Sequence, residues 1–325
     1  FRRLILDLRG NGGGYLEQAV EVADQFIERG RLLVYTEGRF SNSREDHFAE
    51  EGPSIGPDVP ILVLVNSYSA SASEIVAGAI QDYDRGLVIG HTTFGKGLVQ
   101  KQYHLKNGGA VLLTVARYFT PSDRPIQRPF SEDHDSYVEE ARDDYDPNAD
   151  PDSVADKPIY YTRILHRKVY GNGGITPDIT LRRDSLSIFE RRLSRSHLFE
   201  FATRHAPDII DDYSDFETFA SKYKPGRREL SSFKNFLRER EFEFTDREFR
   251  SNLNFIKQGI KQQISQVGWG RRAAGRLFVQ NDSEIVQALS YLDDAEALLA
   301  SRINRTGRGR THYSSPATPS QPPIR

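Results

Sequence analysis

Apolar and polar residues follow two rhythms along this chain, and the change of rhythm falls near residue 185. Ile61–Val65 (ILVLV), after Pro60, is a short apolar run rich in β-branched residues, which suits a strand buried on both faces. Leu4–Leu8 and Leu87–Gly90 have the same character, and Arg31–Thr36 reads as another strand. Between these runs the spacing turns helical. Leu16, Ala19, Val20, Ala23, Phe26 and Ile27 form one stripe within Tyr15–Arg29, with Gly30 as its stop, and Ile75, Val76, Ala79 and Ile80 form a second. Lys101–Leu105, the turn Asn107-Gly108-Gly109 and Ala110–Tyr118 predict a β-hairpin. Glu37–Pro60 is polar and reads as a surface excursion, in which Asp46-His47 is a solvated pair, and Thr162–Tyr170 resumes strand character. Strand–helix–strand order early and hairpin order later give an α/β fold with a mixed sheet.

From Ser185 the pattern is helical, charged and aromatic. Ser185–His205, Asp215–Lys224, Leu230–Arg240, Asp246–Val267 and Ser283–Arg302 are expected helices, with a stripe of Phe249, Leu253, Ile256, Ile260 and Ile264. The expected organisation is a core over 1–184, a mostly α-helical C-terminal domain over 185–305 and a disordered Gly/Ser/Pro-rich tail over 306–325. Pro121–Lys157 is acidic and Pro-containing. Its run Glu139–Asp156 reads as a solvated loop, because the glycine and closing glutamate of an EF-hand are missing.

The chemistry gathers between Asn66 and Gln100. Ser69, Ser71 and Ser73 sit where the Ile61–Val65 run meets a helical pattern, so a hydroxyl there faces unpaired backbone N–H groups and the positive end of a helix dipole. Such a place can hold an attacked carbonyl and stabilise its oxyanion. Lys96 follows in a glycine-bounded turn, Thr92–Gly97. A lysine acts as a base near neutrality only when desolvated, and Phe94, Gly95, Gly97 and Leu98 around it would allow that. Ser plus Lys is one form of activated nucleophile. Plainer readings compete. Ser71-Ala72-Ser73-Glu74 also fits a capping box. Gly90–Lys96 matches a P-loop up to its lysine, but Gly97 stands where Ser or Thr should hold magnesium and no helical stripe follows. The glycine loop Arg9–Gly14 invites a dinucleotide reading that fails because Tyr15 occupies the third glycine position. Asp7 and Arg9 read equally as a local ion pair or as support for a site.

These segments carry a resemblance. Ser69-Ala70-Ser71-Ala72-Ser73-Glu74, then Phe94-Gly95-Lys96-Gly97 with Gln100, resemble the signature of the carboxy-terminal processing peptidases, also called tail-specific proteases. Asp7-Leu8-Arg9-Gly10-Asn11-Gly12-Gly13-Gly14 upstream and Gly173-Gly174-Ile175-Thr176-Pro177-Asp178-Ile179 downstream resemble that family's blocks in the same order, over roughly Phe1 to Leu181. The resemblance implies Ser71 as nucleophile, Lys96 as base and Gln100 as support for the lysine. It implies an oxyanion hole from Ala72 and Gly13, and Asp82 as a supporting acid, although Asp82 could equally close its helix and pair with Arg85. It also implies a spiral ββα core of the crotonase and Clp-protease kind, no cofactor, and protein or peptide substrates cut near an apolar C-terminal tail in the cell envelope, in the periplasm. Family members carry earlier core strands and a PDZ module ahead of this point, so the chain, which opens at Phe1 without methionine, is expected to be an internal fragment lacking any export signal.

Composition narrows this further. Among 325 residues, 37% are hydrophobic and 11% aromatic, enough for a sizeable core, and a net charge of −2 gives no general attraction to nucleic acid. With no cysteine, disulfides and thiolate chemistry are excluded, and the scattered His47, His91 and His104 show no metal-ligand spacing, so no metal is assigned. No apolar run reaches the length of a membrane span. Packing on the core, self-association or substrate docking stay open as roles of the helical domain, and a homo-oligomer or an adaptor protein stays open as a partner. The rival to a Ser–Lys endopeptidase is a non-catalytic peptide-binding or scaffolding protein on the same fold.

Overall fold

The computed structural model describes residues 2–40, 42–130, 157–182 and 186–307. The expectations for the acidic run Glu139–Asp156 and for the tail beyond Gly307 fall outside these residues. Two units separate, one comprising the described residues up to Leu181 and those from Ser290, the other Arg182–Leu289.

Among the described residues, the first unit has two four-stranded sheets and a two-stranded one. β1 (Leu4–Asp7), β4 (Ile61–Val65), β5 (Leu87–Gly90) and β10 (Ile179–Thr180) form a parallel sheet in the order β1-β4-β5-β10. β4 and β5 are the continuous apolar runs of the sequence, and every residue of both is buried, as sheets covered on two faces require. Against this sheet pack α1 (Leu16–Asp24) and α2 (Ala72–Asp82), whose Ala19, Ala23, Ile75, Val76, Ala79 and Ile80 join one core with Ile61, Val63 and Val65. α1 stops at Asp24, short of the expected Arg29. The Asp24 carboxylate instead accepts from the N–H groups of Glu50, Glu51 and Gly52, tying down the incoming loop.

The second sheet is antiparallel, β3 (Glu45–Phe48), β2 (Leu32–Gly38), β7 (Ala110–Phe119) and β6 (Leu98–His104), in the order β3-β2-β7-β6. β3 corrects the expected loop over 37–60. It is short, mostly exposed and held by pairing to β2, so its own residues carry little alternating signal. Asp46 there takes Arg44 Nε at 2.7 Å rather than pairing with His47. The β6–β7 hairpin forms as expected, turning where Asn107 Oδ1 accepts from Gly109 N–H. The strand expected over 162–170 is a hairpin instead, β8 (Ile159–Tyr161) with β9 (Lys168–Tyr170), because Thr162 and Arg167 close a turn between them.

The second unit is helical: α3 (Ile188–Arg195), α4 (His197–Ile210), α5 (Phe216–Lys222), α6 (Arg227–Glu239), α7 (Asp246–Ser251), α8 (Leu253–Asn281) and α9 (Ser283–Leu289). Phe201, Phe219, Phe233, Ile256, Ile260 and Ile264 fill its core. α8 turns back at Gly270, whose φ of 82° and ψ of 179° lie in a region open only to glycine. The last expected helix, Ser283–Arg302, is two helices, and the second, α10 (Leu292–Thr306), belongs to the first unit rather than to the helical domain. Its Arg302, 2% exposed, reaches the Glu28 carboxylate and donates to the Tyr83 carbonyl at 2.9 Å, so burial of one arginine with its partners returns the helix to the core.

Candidate active site

Ser71 is the residue before α2, at the C-terminal end of the buried β4 run. Its φ of 56° is unusual for a residue other than glycine, and it turns the chain sharply from strand into helix. The three serines of this junction have different fates. Ser69, fully buried, donates to the Leu8 carbonyl at 2.8 Å and accepts from Asn66 N–H. Ser73 donates to the Asn11 carbonyl at 3.0 Å. Ser71 makes no side-chain cap bond. Ser71 N–H donates to Glu74 Oε2 at 2.7 Å, the return bond of a capping box. Two hydroxyls thus sew the glycine loop to this junction and the middle one stays uncommitted.

The glycine loop lies directly against it. Ala70 N–H donates to the Asn11 carbonyl and Gly10 N–H to Asn66 Oδ1, each at 3.0 Å. A Cβ on Gly13 would stand 2.6 Å from the Ala70 oxygen, 2.8 Å from Ala72 N and 2.9 Å from Ser71 Cβ, so only glycine fits. Ala72 N–H takes no acceptor among the described residues, as the first amide of a helix should. Gly13 N–H, by contrast, is held by Asn11 Oδ1 at 3.0 Å, so that expected oxyanion donor is occupied and the residue's visible contribution is close approach. Asp7 and Arg9 form the local ion pair, at 2.8 Å.

Glu74 is the residue that sequence reading undervalued. Its carboxylate is fully buried and takes four donors. Oε2 accepts from Ser71 N–H and from Lys96 N–H at 2.9 Å, and Oε1 accepts from Gly95 N–H at 2.7 Å and Thr93 Oγ1 at 2.5 Å. One oxygen therefore holds the backbones of the candidate nucleophile and the candidate base side by side. Burial pushes the Glu74 carboxyl above its ordinary range, against the pull of these bonds from Thr93, Ser71, Gly95 and Lys96. Thr93 Oγ1 in turn accepts from Ile175 N–H at 2.6 Å, which joins the Gly173–Ile179 block to the same knot. Its sequence signal was the glutamate three places after Ser71, read there only as a cap.

The lysine side is less enclosed. Gly97 N–H donates to Gln127 Oε1 and Arg128 N–H to the Gly95 carbonyl, so the turn is gripped from behind by 127–128, residues that no motif marked. The Lys96 side chain is exposed, as is Gln100 on β6, and among the described residues no hydrogen bond links Lys96 to Ser71 or to Gln100. The expected desolvation of Lys96 by Phe94 and Leu98 is absent because the β6–β7 hairpin leading away from it is open on both faces. Asp82 is buried eleven residues beyond Ser71, and its partner is not Arg85. Asp82 accepts from Ser122 N–H and Oγ at 2.9 and 2.7 Å and pairs with Arg124 at 2.8 Å, whereas Arg85 donates to the Val59 and Gly56 carbonyls. Asp82 thus anchors the turn that leads into Gln127 and Arg128. Among the described residues no group of three His, Asp or Glu could hold a metal.

Residues 1–135 match the family model described as Peptidase family S41. The chain is 49% identical over 123 residues to a carboxy-terminal-processing protease of Bartonella bacilliformis, covering 38% of this chain and 28% of that one. It is 44% identical over 125 residues to a chloroplastic C-terminal processing peptidase of Tetradesmus obliquus, covering 38% and 26%. The chain therefore spans about a quarter of the length of these relatives. Among solved structures, a photosystem II D1 C-terminal processing protease is 32% identical with a TM-score of 0.40, over 57% of this chain and 36% of that one.

Proposed function

With residues 1–135 matched to Peptidase family S41, we propose that this chain carries the reaction centre of a serine endopeptidase that uses a Ser71–Lys96 dyad. The observation that supports it most is Glu74 Oε2, which accepts from the backbones of both residues. The uncommitted hydroxyl of Ser71, at a strained strand-to-helix turn, supports it further.

In the proposed reaction, neutral Lys96 takes the Ser71 Oγ proton as that oxygen bonds to a peptide carbonyl carbon. The carbonyl oxygen becomes an anion beside Ala72 N–H at the N-terminus of α2. Collapse expels the amine, which takes the proton back from Lys96, and leaves an ester on Ser71. Water then hydrolyses the ester, with Lys96 moving its proton in the same manner. Lys96 is exposed here, and a bound substrate strand is assigned to cover it. Gln100 is assigned to orient Lys96 in that covered state, and Asp82 to hold the turn behind it. The substrates are proteins cleaved near an apolar C-terminal tail, and the compartment is the cell envelope. No helix among the described residues is long and apolar enough to cross a membrane.

The exposure of Lys96 and its lack of a bond to Ser71 favour the rival, a peptide-binding protein without turnover. One experiment separates the two. Full-length protein, Ser71→Ala and Lys96→Ala are incubated with an unfolded protein ending in an apolar tail, and products are followed by mass spectrometry. Cleavage by the parent, reduced by about 10²–10⁴-fold or more in both variants, is the expected result. Full activity of Lys96→Ala would remove the dyad, and binding without cleavage by the parent would establish the rival.

A further inference from the structure

The helical unit contains a cavity that the proposed peptidase chemistry does not use. α8 reverses at Gly270, and its two arms come back together where Gln258 Nε2 meets Asn281 Oδ1 at 3.4 Å. Between these arms and the connection after α5 lies a cavity of about 300 Å³. It is lined by Lys224, Lys257 and Lys261 and by the amides of Gln258, Gln280 and Asn281, and no Asp or Glu is among its described lining residues.

Three lysines on one concave wall are costly unless something neutralises them. Lys257 and Lys261 stand four apart on the first arm of α8, so they share a face and repel one another. Both are half-buried, and Lys261 Nζ reaches the Ala220 carbonyl at 2.5 Å, which fixes its ammonium at the wall. Burial and the nearby Lys224 charge hold Lys261 below the usual lysine range, as expected where a cation lacks a counter-charge. None of the three forms an ion pair among the described residues, although the chain as a whole has more acids than bases, 46 against 44. A concave site of one sign concentrates the opposite ion.

We propose that this cavity is an anion site that takes a phosphoryl group, carried by a small soluble phosphate ester or by a lipid headgroup. Three cations exceed what one carboxylate can neutralise, and a phosphoryl group offers two charges and three acceptor oxygens. The amides supply donors around it, and a cavity of this size sits at the lower end for small-molecule sites. The inference lies apart from Ser71 and Lys96, so it stands or falls independently of the peptidase reading.

The test uses the full-length protein at constant ionic strength, so that general screening is separated from binding. Inorganic phosphate and pyrophosphate are titrated by calorimetry and by thermal unfolding. Vesicles of phosphatidylcholine with or without phosphatidic acid are tested by co-sedimentation. The expected result is saturable binding that raises the melting temperature with ligand concentration. Affinity should fall at least about tenfold in the Lys224→Gln/Lys257→Gln/Lys261→Gln variant and be retained in Lys261→Arg, whose charge is the same. Because Lys224 is exposed, Lys224→Gln alone keeps the fold and should still weaken binding about threefold or more. Binding of the free anions without vesicle capture assigns a soluble ester; capture dependent on phosphatidic acid assigns a headgroup. Absence of saturable binding to every probe, or equal binding by the glutamine variants, overturns the proposal.

Discussion

The serine loop and the lysine turn meet at Glu74, yet they are held in opposite ways. Around Ser71 the chain is pinned on every side: Ser69 to Leu8, Ser73 and Ala70 to Asn11, and Gly13 against Ala70–Ala72. The lysine turn is held by Glu74 in front, through the Gly95 and Lys96 N–H groups and the Thr93 hydroxyl, and by Gln127 and Arg128 behind, while the Lys96 side chain stands exposed. The nucleophile side is preorganised, and the base side is positioned but not desolvated. Position and burial are separate requirements, and here buried backbone bonds meet the first while only a covering chain would meet the second.

That contrast predicts how variants divide. Glu74→Ala should have the largest effect, since it strands four donors in a buried site, and a loss above about 3 kcal/mol of unfolding free energy, with a lowered midpoint, is expected in urea denaturation. An unchanged midpoint would show that the two loops are held together by something else. Gly13→Ala should cost about 1–3 kcal/mol, because its Cβ meets backbone atoms that cannot move aside and its φ is 95°. Lys96→Ala should leave stability within about 0.5 kcal/mol, as for exposed positions generally, even while it abolishes cleavage. A large stability loss there would mean that Lys96 is packed in solution and the contrast is false.

Acid dependence sharpens the same point. Because burial raises Glu74 above its unfolded value, the folded state binds the proton more tightly between the two values. The contribution of Glu74 to stability therefore falls as pH rises from the ordinary carboxylate range, about 4.3, through the raised folded value. Glu74→Gln should flatten that part of the profile in a series of denaturation curves. A profile identical to the parent's would assign the slope to other groups.

Much of this was legible from the chain. β4 and β5 match the apolar runs residue for residue, because a strand buried on both faces leaves a signal that needs no partner to interpret. The β6–β7 hairpin was legible from its turn chemistry. The motif blocks singled out Ser71, Lys96, Ala72 and Gly13; the fold sets Gly13 against Ser71 and Ala72, and Glu74 holds the backbones of Ser71 and Lys96. Less legible were β3, whose existence depends on pairing with β2, and the turn inside the expected strand over 162–170. The assignment of α10 to the first unit was hidden too, since it rests on Arg302 meeting Glu28 and Tyr83 across 274 and 219 positions of sequence. Gln127 and the Ser122–Arg124 turn were invisible for the same reason.

By itself the sequence determined which segments are strands or helices buried on a continuous face, and which residue types stand ready for chemistry. Both are local properties, written in periodicity and in neighbouring residues. Tertiary structure decided which of three equivalent serines keeps its hydroxyl uncommitted, whether Asp82 takes Arg85 or Arg124, and how far Lys96 is removed from water. Those outcomes depend on which distant groups arrive at hydrogen-bond distance and on what covers a charge, and no stretch of neighbouring residues contains that information.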